Sequence, residues 1–144
     1  MDEKPYLFRE DSTEYSYCFE SISQKASLQK LVLFTATDIR NVFNLALVDQ
    51  LPSGELSDSV VSNNEDMPIV LATVFRIIDE FLNRFPAFIA FFQGSDQRRN
   101  RLSRMVLGKE LDKLTTRFDV RGYDGNRFVI FERNQSYESF LIRK

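Results

Sequence analysis

Residues 67–92 read Met-Pro-Ile-Val-Leu-Ala-Thr-Val-Phe-Arg-Ile-Ile-Asp-Glu-Phe-Leu-Asn-Arg-Phe-Pro-Ala-Phe-Ile-Ala-Phe-Phe, and this stretch decides the fold. Its first part places apolar side chains at Met67, Val70, Leu71, Val74, Ile77, Ile78, Phe81, Leu82 and Phe85. That is the three-and-four spacing of one helix face, held for about five turns. Asp66 in front is a good N-cap, and Pro68 is tolerated in the first turn because its missing N–H is not needed there. Pro86 stops the helix. Ala87-Phe88-Ile89-Ala90-Phe91-Phe92 then runs apolar on both faces, which reads as a central strand covered on two sides.

Working outward toward the N-terminus, residues 49–66 form one long loop rich in Ser, Asp, Asn, Pro and Gly. Three strand-like runs precede it. Tyr15-Ser16-Tyr17-Cys18-Phe19-Glu20 alternates with period two, placing Tyr15, Tyr17 and Phe19 on one face. Leu31-Val32-Leu33-Phe34-Thr35 and Val42 to Val48 follow, separated by the turn-like Thr37-Asp38-Ile39-Arg40-Asn41. Short links between consecutive strands predict an antiparallel meander. Residues 1–14 are polar and expected to be loosely ordered, with Tyr6, Leu7 and Phe8 as an edge anchor.

Toward the C-terminus, Gly94 ends the central strand and Ser95 or Asp96 caps a second helix. That helix is expected to run to Leu107 and break at Gly108, with a short further helical piece over Glu110 to Thr116. Asp124-Gly125 sits between alternating runs, Phe118 to Tyr123 and Arg127 to Phe131, which predicts a hairpin. Phe140-Leu141-Ile142 closes the chain as an edge strand. The expected fold is a single α+β domain over 1–144. It has a mostly antiparallel sheet of about six strands and two main helices on one face, in the order β-β-β-α-β-α-β-β.

Composition narrows the chemistry. The 144 residues include no histidine, one cysteine (Cys18), 14 Phe, 5 Tyr and no Trp, with a net charge of −2. Without histidine, Ser-His and Cys-His nucleophile pairs and most zinc or non-haem iron sites are excluded. Any catalysis would rest on carboxylates, Lys, Arg, Tyr or hydroxyls; no catalytic residue, metal or cofactor is assigned. Cys18 reads as a small core residue. Met1-Asp2-Glu3-Lys4-Pro5 has no apolar run behind it, and no stretch approaches the roughly 20 apolar residues of a membrane span, so a cytoplasmic protein is expected. Charge divides unevenly: residues 1–66 hold 5 basic and 12 acidic side chains, residues 67–144 hold 14 basic and 9 acidic. The asymmetry fits attraction between the halves, within one fold or across a homodimer. It also fits an anionic ligand on the second half.

The candidate site follows from the second helix. Arg98, Arg99, Arg101 and Arg104 crowd its first turns, although a helix N-terminus carries partial positive charge and disfavours cations. With Leu102, Met105 and Val106 as the buried stripe, Arg98 falls on that stripe, four residues before Leu102. Three readings account for it: a structural ion pair with Asp66, Glu65 or Asp96, a bound phosphate or carboxylate, or an acidic protein partner. Ser95 belongs to the same corner. Asn63, Asn64 and Asp66, in Ser62-Asn63-Asn64-Glu65-Asp66, are the second candidate group, suited to capping and turns and to recognising a base edge or a peptide. Phe81, Phe85, Phe88, Phe91 and Phe92 read as packing, not as a stacking platform.

The run of strand, Gly94-Ser95, arginine helix and strand resembles the last part of an acetyltransferase domain, where a Gly-rich turn at a helix start holds the coenzyme pyrophosphate. The turn itself is missing, and Ser62 to Thr73 contains no glycine. Lys30-Leu31-Val32-Leu33-Phe34, Asn44-Leu45-Ala46, Ser62-Asn63-Asn64-Glu65-Asp66, Val70-Leu71-Ala72-Thr73-Val74 and Gly94-Ser95 with Arg98, Arg101 and Leu102 together resemble a family of uncharacterised bacterial proteins of similar length. The resemblance runs from about residue 15 to the end and departs at Leu102-Ser103, where Leu-Tyr is expected. It implies no activity. The functional expectation is a non-enzymatic binding or regulatory module whose Arg-rich helix start contacts an anionic ligand, nucleic acid or an acidic protein. The alternatives are a small nucleic-acid-directed enzyme, the toxin-like half of a two-gene bacterial module, and an acetyltransferase-like fold without its coenzyme turn.

Overall fold

The computed structural model describes residues 4–10, 15–22, 27–50, 56–57, 67–93, 101–133, 135 and 137–144. The meander expected from the alternating runs is present as β2 (Ser16–Ile22), β3 (Ser27–Ala36) and β4 (Val42–Gln50), paired antiparallel. Asn41, at φ 66°, closes the β3–β4 turn in the left-handed region that Asn tolerates. Two short strands flank the meander: β1 (Phe8–Glu10) pairs with β2, and β5 (Leu56–Ser57) pairs with the end of β4.

Helix α1 (Met67–Arg84) then crosses over, and β6 (Ile89–Gln93) returns beside β4 in parallel, as a strand–helix–strand connection must when it re-enters the same sheet next to its start. Helix α2 (Arg101–Leu114) leads to the hairpin β7 (Asp119–Tyr123) and β8 (Phe128–Ile130), and β9 (Ser139–Arg143) ends the chain. The sheet order is β1-β2-β3-β4-β6-β9-β7-β8, with β5 beside β4.

The α+β class and the two helices agree with the sequence, and five expectations are corrected. The sheet has nine strands among the described residues, not about six; it is mostly antiparallel, as expected, and the β4–β6 pair is parallel. Strand β9 is not an edge. It inserts between β6 and β7, since Phe140 and Ile142 are both apolar and buried, and the β7–β8 hairpin alone leaves β6 unpaired.

Gly108 does not break α2. Leu107, Leu111 and Leu114 bury along one stripe, and that packing outweighs the roughly 1 kcal/mol helix penalty of a glycine. The same stripe leaves Met105 60% exposed, so Met105 is not on the buried face.

Register assigns each side chain to a sheet face. Tyr17, Phe19, Val32, Phe34, Phe43, Ala90, Phe92, Val120, Phe140 and Ile142 share one face, and they form one core with Val70, Val74, Ile77, Ile78, Phe81 and Leu82 of α1 and the leucines of α2. Phe34 and Phe81 stack at its centre with ring centroids 3.8 Å apart. On the opposite face Cys18, Leu31 and Val48 make a small second cluster. Farther along that face Phe91 and Leu141 are half-buried, and no helix covers them among the described residues. The fifth correction follows: among the described residues β6 is helix-covered on one side, not two.

Candidate functional site

A parallel pair opens at the site. Strands β4 and β6 pair over Val42↔Ile89, Phe43↔Ala90 and Asn44↔Phe91. The backbone N–H of Ile89 donates to the Asn41 carbonyl at 2.7 Å, fixing the start of β6 beside the β3–β4 turn. Past Asn44 the described residues show no further pairing, and β4 continues to Gln50 with β5 alone on that side, at Asp49↔Ser57 and Gln50↔Leu56. The carboxyl ends of the two strands therefore part at one edge of the sheet. Helix α1 ends just before the start of β6 and α2 just before the start of β7, so each runs back along the sheet and begins toward the carboxyl ends of β4 and β6. Diverging carboxyl ends of parallel strands and the free N–H groups of helix starts are both recurrent places for anionic ligands.

Beneath the edge, on the helix-covered face, lies a buried polar group. Lys30 of β3 is fully buried and its ammonium donates to the Asp49 carboxylate of β4, itself 7% exposed. The pair sits in register with Phe19, whose ring stacks on Tyr6 at 5.9 Å. Tyr6 anchors the N-terminal segment here. Its backbone N–H donates to the Thr73 hydroxyl at 2.9 Å, and its own hydroxyl donates to the Ile22 carbonyl at 3.0 Å. The hydroxyl of Thr73, fully buried on α1, donates to the Ile69 carbonyl at 2.7 Å. The sequence reading missed Lys30 and Asp49 because the expected strands stop one residue short of each, at Leu31 and at Val48. Their signal was a lysine and an aspartate flanking apolar runs, which also fits two solvated strand ends.

The expected site residues fare differently. Ser95, Arg98, Arg99, Asn63, Asn64 and Asp66 lie outside the described residues. Arg101 and Arg104 open α2, and only their backbone is described. The described residues bring none of these side chains together. The stripe that placed Arg98 inward fails at Met105.

Several other charged groups have local partners. At the far end of the helices the Asp79 carboxylate accepts from the Arg117 guanidinium, and from Asn83 at 2.6 Å. Lys144 in turn donates to Asn83 at 2.9 Å. On the open face Asp119 accepts from Arg121 Nε at 2.8 Å and Arg143 Nε at 3.3 Å, and these two, Arg121 foremost, hold its carboxyl below the usual range. The Arg84 guanidinium does the same for Glu10. Burial pushes the pKa of the Tyr17 hydroxyl up. Among the described residues no group of three or more His, Cys, Asp or Glu side chains is placed to hold a metal ion, and no helix is long and apolar enough to cross a membrane.

Over residues 2–144 the chain matches the family described as "Family of unknown function (DUF6934)", and it belongs to that family. No curated protein and no solved structure matches it.

Proposed function

We propose that this chain is a non-enzymatic binding module that takes an anionic, phosphate- or carboxylate-bearing ligand at the edge where β4 and β6 part. The observation that carries the reading is that two parallel strands part with their carboxyl ends toward one end of the sheet, the end toward which α1 and α2 also begin. Arg98, Arg99, Arg101 and Arg104 fall between the end of β6 and the first turn of α2, and Ser95 with them; Asn63, Asn64 and Asp66 fall between β5 and α1. On this reading the arginines meet the ligand's charge and so offset their own unfavourable place at a helix start. The protein works in the bacterial cytoplasm.

Calorimetric titration with inorganic pyrophosphate, coenzyme A and a short poly-glutamate peptide tests it. At least one should bind, and Arg98→Ala with Arg101→Ala should abolish that binding while costing about 1 kcal/mol of stability. A loss of about 3 kcal/mol or more, with binding per folded molecule unchanged, makes the arginines structural and sinks the reading.

A second reading, an acetyltransferase-like protein, is favoured by the parting of the parallel pair in front of a helix start, the place where the resemblance puts the coenzyme. Against it stands the missing glycine turn. Binding of coenzyme A well above that of pyrophosphate supports this version, and equal binding removes it.

A further inference from the structure

We propose that the open face of β6, β9, β7 and β8 is a second binding surface, whose occupant is single-stranded nucleic acid. Register lays out the surface in three rows. Phe91, Leu141, Arg121 and Ile130 cross the four strands side by side, followed on one side by Gln93, Ser139, Tyr123 and Phe128 and on the other by Ile89, Arg143 and Asp119. No helix covers these rows among the described residues. The rings of Tyr123 and Phe128 stand 5.2 Å apart, Phe128 is 36% exposed, and Ile130 between the rings and the rim is 68% exposed. Aromatic and aliphatic groups on a sheet face that no described helix covers offer π-faces and methyls at strand spacings of about 4.8 Å. Extended, unstacked bases use such a surface, and a duplex with its bases paired inside cannot.

Charge selects a polyanion over a neutral partner. The charged side chains of these rows are Arg121, Arg143 and one carboxylate, Asp119. Asp119 engages the Nε edge of each guanidinium, and the side chains of Arg121 and Arg143 remain 40% and 59% exposed. Each arginine thus keeps donors for phosphate while a shared carboxylate fixes its orientation. All four strands belong to the basic half of the chain, where residues 67–144 hold 14 basic against 9 acidic side chains.

Fluorescence anisotropy with a labelled single-stranded oligouridine, and with a duplex of the same length, tests this. The single strand should bind more tightly than the duplex, and more weakly as salt rises. Tyr123→Ala and Phe128→Ala should each weaken binding about tenfold, the loss of one stacked base. Ile130→Glu should remove it by placing a carboxylate beside the phosphates, and Ile39→Glu, at the exposed β3–β4 turn, should leave it unchanged. Circular dichroism checks each variant. If the ring variants do not fold, Ile130→Glu decides, because its parent side chain is mostly in solvent. Three results overturn the proposal: equal affinity for the duplex, binding indifferent to these substitutions, or no binding by a protein whose dimer Ile130→Glu dissociates. The last makes the face an interface between two copies.

Discussion

Lys30 concentrates more of the fold's electrostatic risk than any other described side chain. Its ammonium is fully buried with the Asp49 carboxylate as its partner. Removing one member of such a pair strands the other in a low-dielectric core, so Lys30→Met should cost about 3–5 kcal/mol. Adding Asp49→Val should recover most of that loss, and a double-mutant cycle from denaturant unfolding measures the coupling. Gly122 is constrained by shape. A Cβ there would lie 2.4 Å from ring carbons of Tyr137, whose hydroxyl accepts the Glu132 N–H at 3.1 Å. Gly122→Ala should therefore lower the melting temperature by displacing Tyr137, and pairing it with Tyr137→Ala should restore part of the loss. Asp119 carries a pH signature. Its folded pKa lies below its unfolded value, so its contribution to stability is fully present above the ordinary carboxylate range, about pH 4, and disappears as pH falls through the lowered pKa. Asp119→Asn should flatten the acid limb of a stability–pH curve and change its slope little at neutral pH.

Among the elements, α1 was fully legible in the sequence. Its apolar spacing and the terminal proline agree with one another, and Val70, Val74, Ile77 and Phe81 are all buried. Asp79 is buried too, a departure explained by Arg117 and Asn83, which pair with it and could not be foreseen from local pattern. The Asp124-Gly125 hairpin was legible for the same reason: the Asp124 carboxylate accepts from the backbone of Asn126 and Arg127, and Gly125 takes φ 105°. Helix α2 was misread. Gly108 signals a stop locally, but Leu107, Leu111 and Leu114 continue the helix through tertiary contact, which a single-chain pattern weighs poorly. Nothing lies within 4 Å of a Cβ built on Gly108. Gly108→Ala should consequently stabilise the protein, by up to about 1 kcal/mol, in chemical denaturation. Strands β1 and β5 were missed because runs of three and two residues carry no measurable periodicity.

For the whole molecule, topology carries information that no local motif held. The acidic first half builds the meander and the basic second half builds β6 to β9 and α1 and α2, and the two halves meet at the parallel β4–β6 pair. Sequence reading picked out the segments after β4 and β6 separately, one for its asparagines and one for its arginines. The sheet order sets those two strands side by side in parallel through their first residues, a non-local pairing invisible to spacing rules, so both segments leave toward the same end of the sheet. The backbone of Arg101 and Arg104, in the first turn of α2, therefore lies toward the end of the sheet where the two strands open. The most direct measurement is the amide NMR spectrum of the protein titrated with inorganic pyrophosphate. The account predicts saturable shifts at the end of β4 near Gln50, at Gln93, and in the first turns of α1 and α2 through Ile69 and Arg104. Absence of shifts, or shifts confined to the opposite end around Asn83, Arg117 and Lys144, would contradict it.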